Sequence, residues 1–240
     1  MVRVYRGAMS LLLFAAFGAG SLLLAPAALL LRRPERFQRV VRAAWLPLLA
    51  LFRLTRLVVT ERGNLPRCEG TLIISNHPSL IDVVIYVCLV PKTLYVAKRP
   101  LRSNFFLGAI VRATSLPDGA DLPAVASEYL AKGWNVLVFP EGTRSPAEGL
   151  HPFRRGAAHV ALESGAPVVC SRLRVSRRIL AKGQPPWDMG PEPVVYSFDA
   201  DEPERFAPLP DETPRKAAIR VTDHFRRRLA ADCASSRLDS

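Results

Sequence analysis

The sequence predicts an α/β layer fold from the alternation of its elements, and its length and hydrophobic content set the domain's size and surroundings. Short apolar runs of strand character alternate with longer helix-like stretches from about residue 57 onward. The chain has 240 residues, enough for one domain plus an appendage, with a substantial buried core. Hydrophobic residues make up 49%, which is high for a soluble domain, and the excess is local.

That excess sits at the N-terminus. Residues 8–31 are 24 positions without a charge, and roughly 20 suffice to cross the hydrocarbon layer. The run exceeds the roughly 7–15-residue core of a cleaved signal peptide. Gly18, Gly20 and Pro26 suit a kinked helix or a re-entrant hairpin. Positive charge flanks both ends, which weakens a simple crossing because such flanks favour the cytoplasm. A monotopic anchor is therefore favoured over a true span. A second apolar stretch, within residues 40–56, is interrupted by Pro47 and too short to span. It is expected to lie in the membrane interface as an arginine-studded amphipathic helix. The sequence thus divides into a membrane-association segment, 1–56, and an α/β domain, 57–240.

Within the domain, residues 57–60 read as the first strand, broken by Gly63-Asn64-Leu65-Pro66. Residues 71–75 read as a second, buried strand. Pro78 suits the first turn of a helix running through the apolar residues 80–90. A strand at 93–97, a helix at 104–112 and a surface helix at 122–131, closed by Gly133, follow. Residues 135–139 form a strand, and 156–164 a helix ended by Gly165-Ala166-Pro167. Strands at 168–175 and 193–198 flank an irregular, proline-rich stretch at 184–192. The last element is an amphipathic helix at 213–232 with Ala218, Val221, Phe225 and Leu229 on one face. There is no internal repeat and no low-complexity tract.

Net charge is +12, and its location matters more than its size. Residues 1–60 hold nine arginines and one glutamate, so +8 of the total (9 − 1) lies there. Arg3 and Arg6 precede the apolar run; Arg32, Arg33, Arg36, Arg39, Arg42, Arg53 and Arg56 follow it. A basic collar beside an apolar segment suits anionic lipid headgroups. Nucleic acid is excluded as a partner by the lack of a recognition motif and of aromatic–basic interleaving. Cys68, Cys88, Cys170 and Cys233 form no CxxC and no zinc-type pairing with histidine. They read as free thiols in a reducing cytoplasm, and no metal is implied.

Two motifs carry chemistry. Asn76-His77-Pro78-Ser79-Leu80-Ile81-Asp82 sets a histidine five residues before a carboxylate. Within one helix the two side chains would diverge by about 140°. They can meet only if His77 sits in the loop before the helix. Asp82 could then hold one ring nitrogen and leave the other as a general base. The bland alternative is a capping histidine, with Asp82 paired to an arginine. Ser79 invites a serine-hydrolase reading, but the GxSxG elbow is missing. In Phe139-Pro140-Glu141-Gly142-Thr143-Arg144-Ser145, Gly142 permits close backbone approach and Arg144 can pair with phosphate bidentately. Glu141 is expected to orient Arg144 or to accept from a substrate hydroxyl. Phe153-Arg154-Arg155-Gly156 adds two cations.

These blocks resemble the glycerolipid acyltransferases typified by 1-acylglycerol-3-phosphate acyltransferase, from about residue 57 to 175. The resemblance implies an acyltransferase-type α/β domain with a mixed central sheet behind N-terminal membrane-anchoring helices. It implies that His77 deprotonates the acceptor hydroxyl and Asp82 supports it. Asn76, Lys98, Arg112, Glu141, Gly142, Thr143, Arg144 and Arg154 would contact substrate. The donor would be acyl-CoA or an acyl carrier protein, used as co-substrate with no cofactor or metal, and the acceptor most readily 1-acylglycerol-3-phosphate. The partners would be membrane lipids at the cytoplasmic face of the inner or plasma membrane. Two departures bear on the acceptor. Leu116-Pro117-Asp118-Gly119 stands where the family's second block ends in arginine, leaving Arg112 as the nearest candidate. Cys170 stands where the fourth block has a proline. Another acceptor, such as an amino-acid lipid or an aryl-polyene-type lipid, and a silent lipid-binding protein are the alternatives.

Overall fold

The strands at residues 72–75 and 135–138 are buried at every position, which is what helices on both sides of a sheet require. The computed structural model describes residues 2–30, 34–51, 57–62, 65–104, 108–181, 183–185, 187–188 and 192–230. Among these, the strands are β1 (Leu57–Arg62), β2 (Leu72–Ser75), β3 (Thr93–Ala97), β4 (Ser115–Pro117), β5 (Asn135–Val138), β6 (Val168–Val175) and β7 (Val194–Ala200). The helices are α1 (Val2–Leu30), α2 (Pro34–Leu51), α3 (Asp82–Leu89), α4 (Arg99–Arg102), α5 (Gly108–Thr114), α6 (Leu122–Ala131), α7 (Gly156–Ser164) and α8 (Pro214–Ala230). Arg32, Arg33, Arg53, Arg56, the Gly63-Asn64 break and Cys233 lie outside the described residues, as do positions 105–107 of the expected 104–112 helix.

The strands form one mixed sheet in the order β1-β7-β6-β2-β5-β3-β4. Pairing is parallel throughout except for β6 against β7. Side chains alternate between faces with the two-residue strand period. Ile73, Leu137 and Val169 enter one core cluster with α2, α3 and α5 residues. Leu72, Ile74, Val136, Val138, Val168 and Cys170 enter a second with α6, α7 and α8. The face of α8 read from sequence, Ala218, Val221, Phe225 and Leu229, is buried in that second cluster.

Three expectations need correction. The helix after His77 starts at Asp82 rather than at Pro78, so 76–81 is loop and turn. The short strand β4 was not anticipated, since three residues carry too little pattern. The third concerns α2. It is helical, but Phe37, Val41 and Trp45 are buried in the core beside α3, and Arg42 Nη2 donates to the Cys88 carbonyl at 2.9 Å. Its apolar face therefore packs on the domain, leaving Arg36, Arg39, Val40 and Leu46 outward. α1 is likewise tied down, with Arg6 Nη1 donating to the Glu192 carbonyl at 2.7 Å. Among the described residues, no helix is long and apolar enough to cross a membrane.

Candidate active site

Parallel strands deliver their following loops to one edge of the sheet. His77 follows β2, Lys98 follows β3, Asp118 follows β4 and Phe139 follows β5. Crevices at the carboxyl ends of parallel strands are where ligands bind in open α/β sheets. Here they line a cavity of about 390 Å³. Its polar wall includes His77, Lys98, Asp118, Thr143, Arg144 and Arg154; its apolar wall includes Val83, Tyr95, Leu101, Leu122 and Phe139.

His77 and Asp82 meet as the spacing allows. His77 Nδ1 lies 2.9 Å from Asp82 Oδ2, and the same oxygen accepts the Ser79 N–H at 2.8 Å. An oxygen holding that backbone donor can also accept from Nδ1–H, which leaves Nε2 as the basic nitrogen. The His77 ring stacks on Phe139 at 4.2 Å and 20°, so its plane is set by a second contact. Asp82 is fully buried and sits in the first turn of α3. Burial pushes its carboxyl above the usual range, while the bond from His77 and its charge pull the other way. Ser79 is buried, and its Oγ lies 3.5 Å from the Ile81 N–H. Burial raises the Cys88 thiol to about 11, so it is no thiolate nucleophile near neutral pH.

The two motifs are laced to each other. His77 N–H donates to Ser145 Oγ at 2.9 Å, and Ser145 N–H donates to the His77 carbonyl at 2.7 Å. Ser145 Oγ in turn donates to Glu141 Oε1, and the His151 N–H donates to Glu141 Oε2 at 2.8 Å. Glu141 is thus a buried brace of the 139–151 loop and not the partner of Arg144 that the sequence suggested. Gly142 has φ +63°, and a Cβ there would lie 2.8 Å from Arg154 Nε. The glycine is required twice, by its backbone and by the guanidinium packed on it.

The expected contact residues divide. Lys98, Gly142, Thr143, Arg144 and Arg154 share the cavity with His77. Arg112 does not: it is exposed on α5 and donates to the Arg102 carbonyl at 2.7 Å. Asn76 is also engaged elsewhere. Its Nδ2 donates to the Leu173 carbonyl and its Oδ1 accepts the Leu173 N–H, both at 2.8 Å, so it fastens the end of β2 to β6. Sequence reasoning missed Asp118, which faces Arg154 Nη1 at 3.5 Å, and Arg178, which bonds to the Ser145 and Pro146 carbonyls. Neither belongs to a local pattern.

Comparison with known proteins bears on the family and the fold. Residues 56–173 match the family model described as Acyltransferase. The 1-acyl-sn-glycerol-3-phosphate acyltransferase of Cocos nucifera is 33% identical over 131 residues, covering 48% of this chain and 42% of that protein. The protein of that name from Salmonella typhimurium is 31% identical over 110 residues, covering 42% and 45% respectively. The matched stretches therefore span less than half the length of these curated relatives. The crystal structure of the 1-acyl-sn-glycerophosphate (LPA) acyltransferase PlsC from Thermotoga maritima superposes with a TM-score of 0.73 over 100% of both chains, at 18% identity, which speaks to the fold. With His77, bonded to Asp82, and the 139–145 loop at one cavity within the matched region, residues 56–173 form a domain of the Acyltransferase family.

Proposed function

We propose that this chain is a membrane-associated O-acyltransferase. It moves a fatty acyl group from a thioester, acyl-CoA or acyl carrier protein, to the hydroxyl of a lysophospholipid, 1-acylglycerol-3-phosphate first among them. The observation that carries the reading is the His77–Asp82 pair at the wall of a cavity that also holds Lys98, Arg144 and Arg154. His77 Nε2 takes the acceptor's hydroxyl proton as that oxygen attacks the thioester carbonyl carbon. Asp82 steadies the imidazolium. The C–O bond forms, the C–S bond breaks, and the imidazolium returns its proton to the departing thiolate. The cations hold the acceptor phosphate, Arg144 and Arg154 through planar forks and Lys98 as a point charge. The apolar wall takes alkyl chain. The names of the relatives support the lysophosphatidate acceptor.

Membrane association is supported by the exposed apolar side chains of α1 and α2, among them Val4, Leu12, Leu23 and Leu46, beside exposed Arg36 and Arg39. Apolar surface inserts at about 25 cal/mol per Å², and arginine adds about 1 kcal/mol near an anionic surface. Incubating the purified chain with a panel of lyso-acceptors and both thioester classes, with mass spectrometry of the products, tests the chemistry. Esterified lysophosphatidate is the expected product, and hydrolysis of the thioester without transfer would sink the reading. Flotation with anionic vesicles at low and high salt tests the location; a chain that stays with the soluble fraction at low salt would refute it.

A further inference from the structure

We propose that Arg178 is a positioning residue for the His77–Asp82 pair, acting through the loop that carries Arg144 and Ser145. The inference rests on the acyl-transfer reading above. Arg178 lies just beyond β6, in the segment that returns to β7. Its guanidinium crosses to the 139–151 loop, Nη1 donating to the Pro146 carbonyl and Nη2 to the Ser145 carbonyl. Two donors in one plane on consecutive carbonyls form a fork that an ammonium cannot reproduce. Ser145 is the residue that grips His77, accepting its N–H at 2.9 Å and donating to its carbonyl at 2.7 Å. A cation fixed on the Ser145 carbonyl therefore fixes the peptide unit next to the one that holds the histidine backbone. A bond runs back the other way, from Arg144 Nη1 to the Leu180 carbonyl at 2.8 Å. Residues 144–146 and 178–180 clasp each other by opposed bonds.

A second link is electrostatic. The charge of Arg178 pulls the Asp82 carboxyl down, against the burial that raises it. The other titratable groups bearing on Asp82 are His77 from its own loop, Tyr86 on α3 and Tyr196 on β7. Burial raises both phenols, so they stay neutral in the working range. Arg178 is thus a permanent cation acting on Asp82, and it also shapes the loop.

The test compares full-length wild type, Arg178→Met and Arg178→Lys. Arg178→Met should lower kcat roughly 10–100-fold, the scale of a small misplacement of a catalytic group, with thioester KM little changed. The acid limb of its kcat/KM profile should move to higher pH, because a lost cation makes the coupled pair easier to protonate. Arg178→Lys should restore the limb and only part of kcat, since it keeps the charge and loses the fork. The 13C carboxyl titration of Asp82 reads the electrostatic link without turnover and should move the same way. Wild type that transfers no acyl group would sink the functional reading. An Asp82 titration identical in all three proteins, or wild-type kcat in Arg178→Met, would overturn the inference. Should Arg178→Met fail to fold, Arg178→Lys decides: full kcat overturns the fork, and reduced kcat with an unmoved acid limb supports it.

Discussion

Asparagine at position 82 removes one charge and keeps the shape. Asp82 Oδ2 accepts from His77 Nδ1 at 2.9 Å and Ser79 N at 2.8 Å, while Oδ1 is buried without a hydrogen-bond partner among the described residues. An amide can keep its oxygen on the two donors and place its nitrogen where Oδ1 was. What goes is the attraction between the carboxylate and the imidazolium formed when His77 takes the hydroxyl proton. Two unit charges about 4 Å apart at an effective dielectric of about 20 attract by about 4 kcal/mol. At 1.36 kcal/mol per factor of ten, kcat should fall on the order of 1,000-fold. The assay is continuous release of thiol from the acyl thioester at saturating acceptor, with the ester confirmed by mass spectrometry. Stability should go the other way. Burial holds the folded-state carboxyl above its ordinary value. The folded chain then binds this proton more readily than the unfolded chain. The group's stabilising contribution is complete below that value and is lost as pH rises through the folded value. Asp82→Asn escapes that loss, so at neutral pH its Tm should not lie below wild type. A variant within about tenfold of wild-type kcat would refute the charge argument. A Tm lowered by several degrees at neutral pH would refute the burial argument.

Other substitutions separate the remaining roles. His77→Ala should abolish transfer, and Ser79→Ala should leave it near wild type; the reverse pattern would replace the general base with a serine nucleophile. Gly142→Ala forces a Cβ to within 2.8 Å of Arg154 Nε at φ +63°, and should raise acceptor KM while thioester KM holds, as steady-state kinetics in both substrates would show. The left-handed backbone alone costs about 1–2 kcal/mol, so a melting curve should show the loss as well. Arg144→Lys leaves one point charge to serve both the Leu180 carbonyl and the acceptor phosphate. Its acceptor KM should rise about tenfold, or roughly 1.4 kcal/mol; a raised thioester KM with unchanged acceptor KM would move this loop to the donor.

What the sequence determined by itself is what local pattern can carry. Strand period and helix period are properties of neighbouring residues, so β3, β6, α6 and α7 were legible to their ends, and the apolar face of α8 with them. The His77–Asp82 pair was legible because five residues and one turn leave it few geometries. Tertiary structure decided which polar groups face the cavity. Asn76 and Glu141 sit inside the motifs, yet both are turned to bracing, because a strand end beside β6 and a buried loop must satisfy their own backbone groups. Arg112 was chosen by nearness in sequence and is spent on the Arg102 carbonyl at the surface of α5, while Asp118, just past an unforeseen three-residue strand, reaches the cavity. Arg178 had no local signature at all. Its partners, Ser145 and Pro146, arrive through the parallel crossover from β5 to β6, and only closing that crossover sets a guanidinium against their carbonyls. The arginine-rich α2 makes the same point for the N-terminus: amphipathicity marks a face to be covered, and here Phe37, Val41 and Trp45 are covered by α3 and its neighbours before any membrane is met.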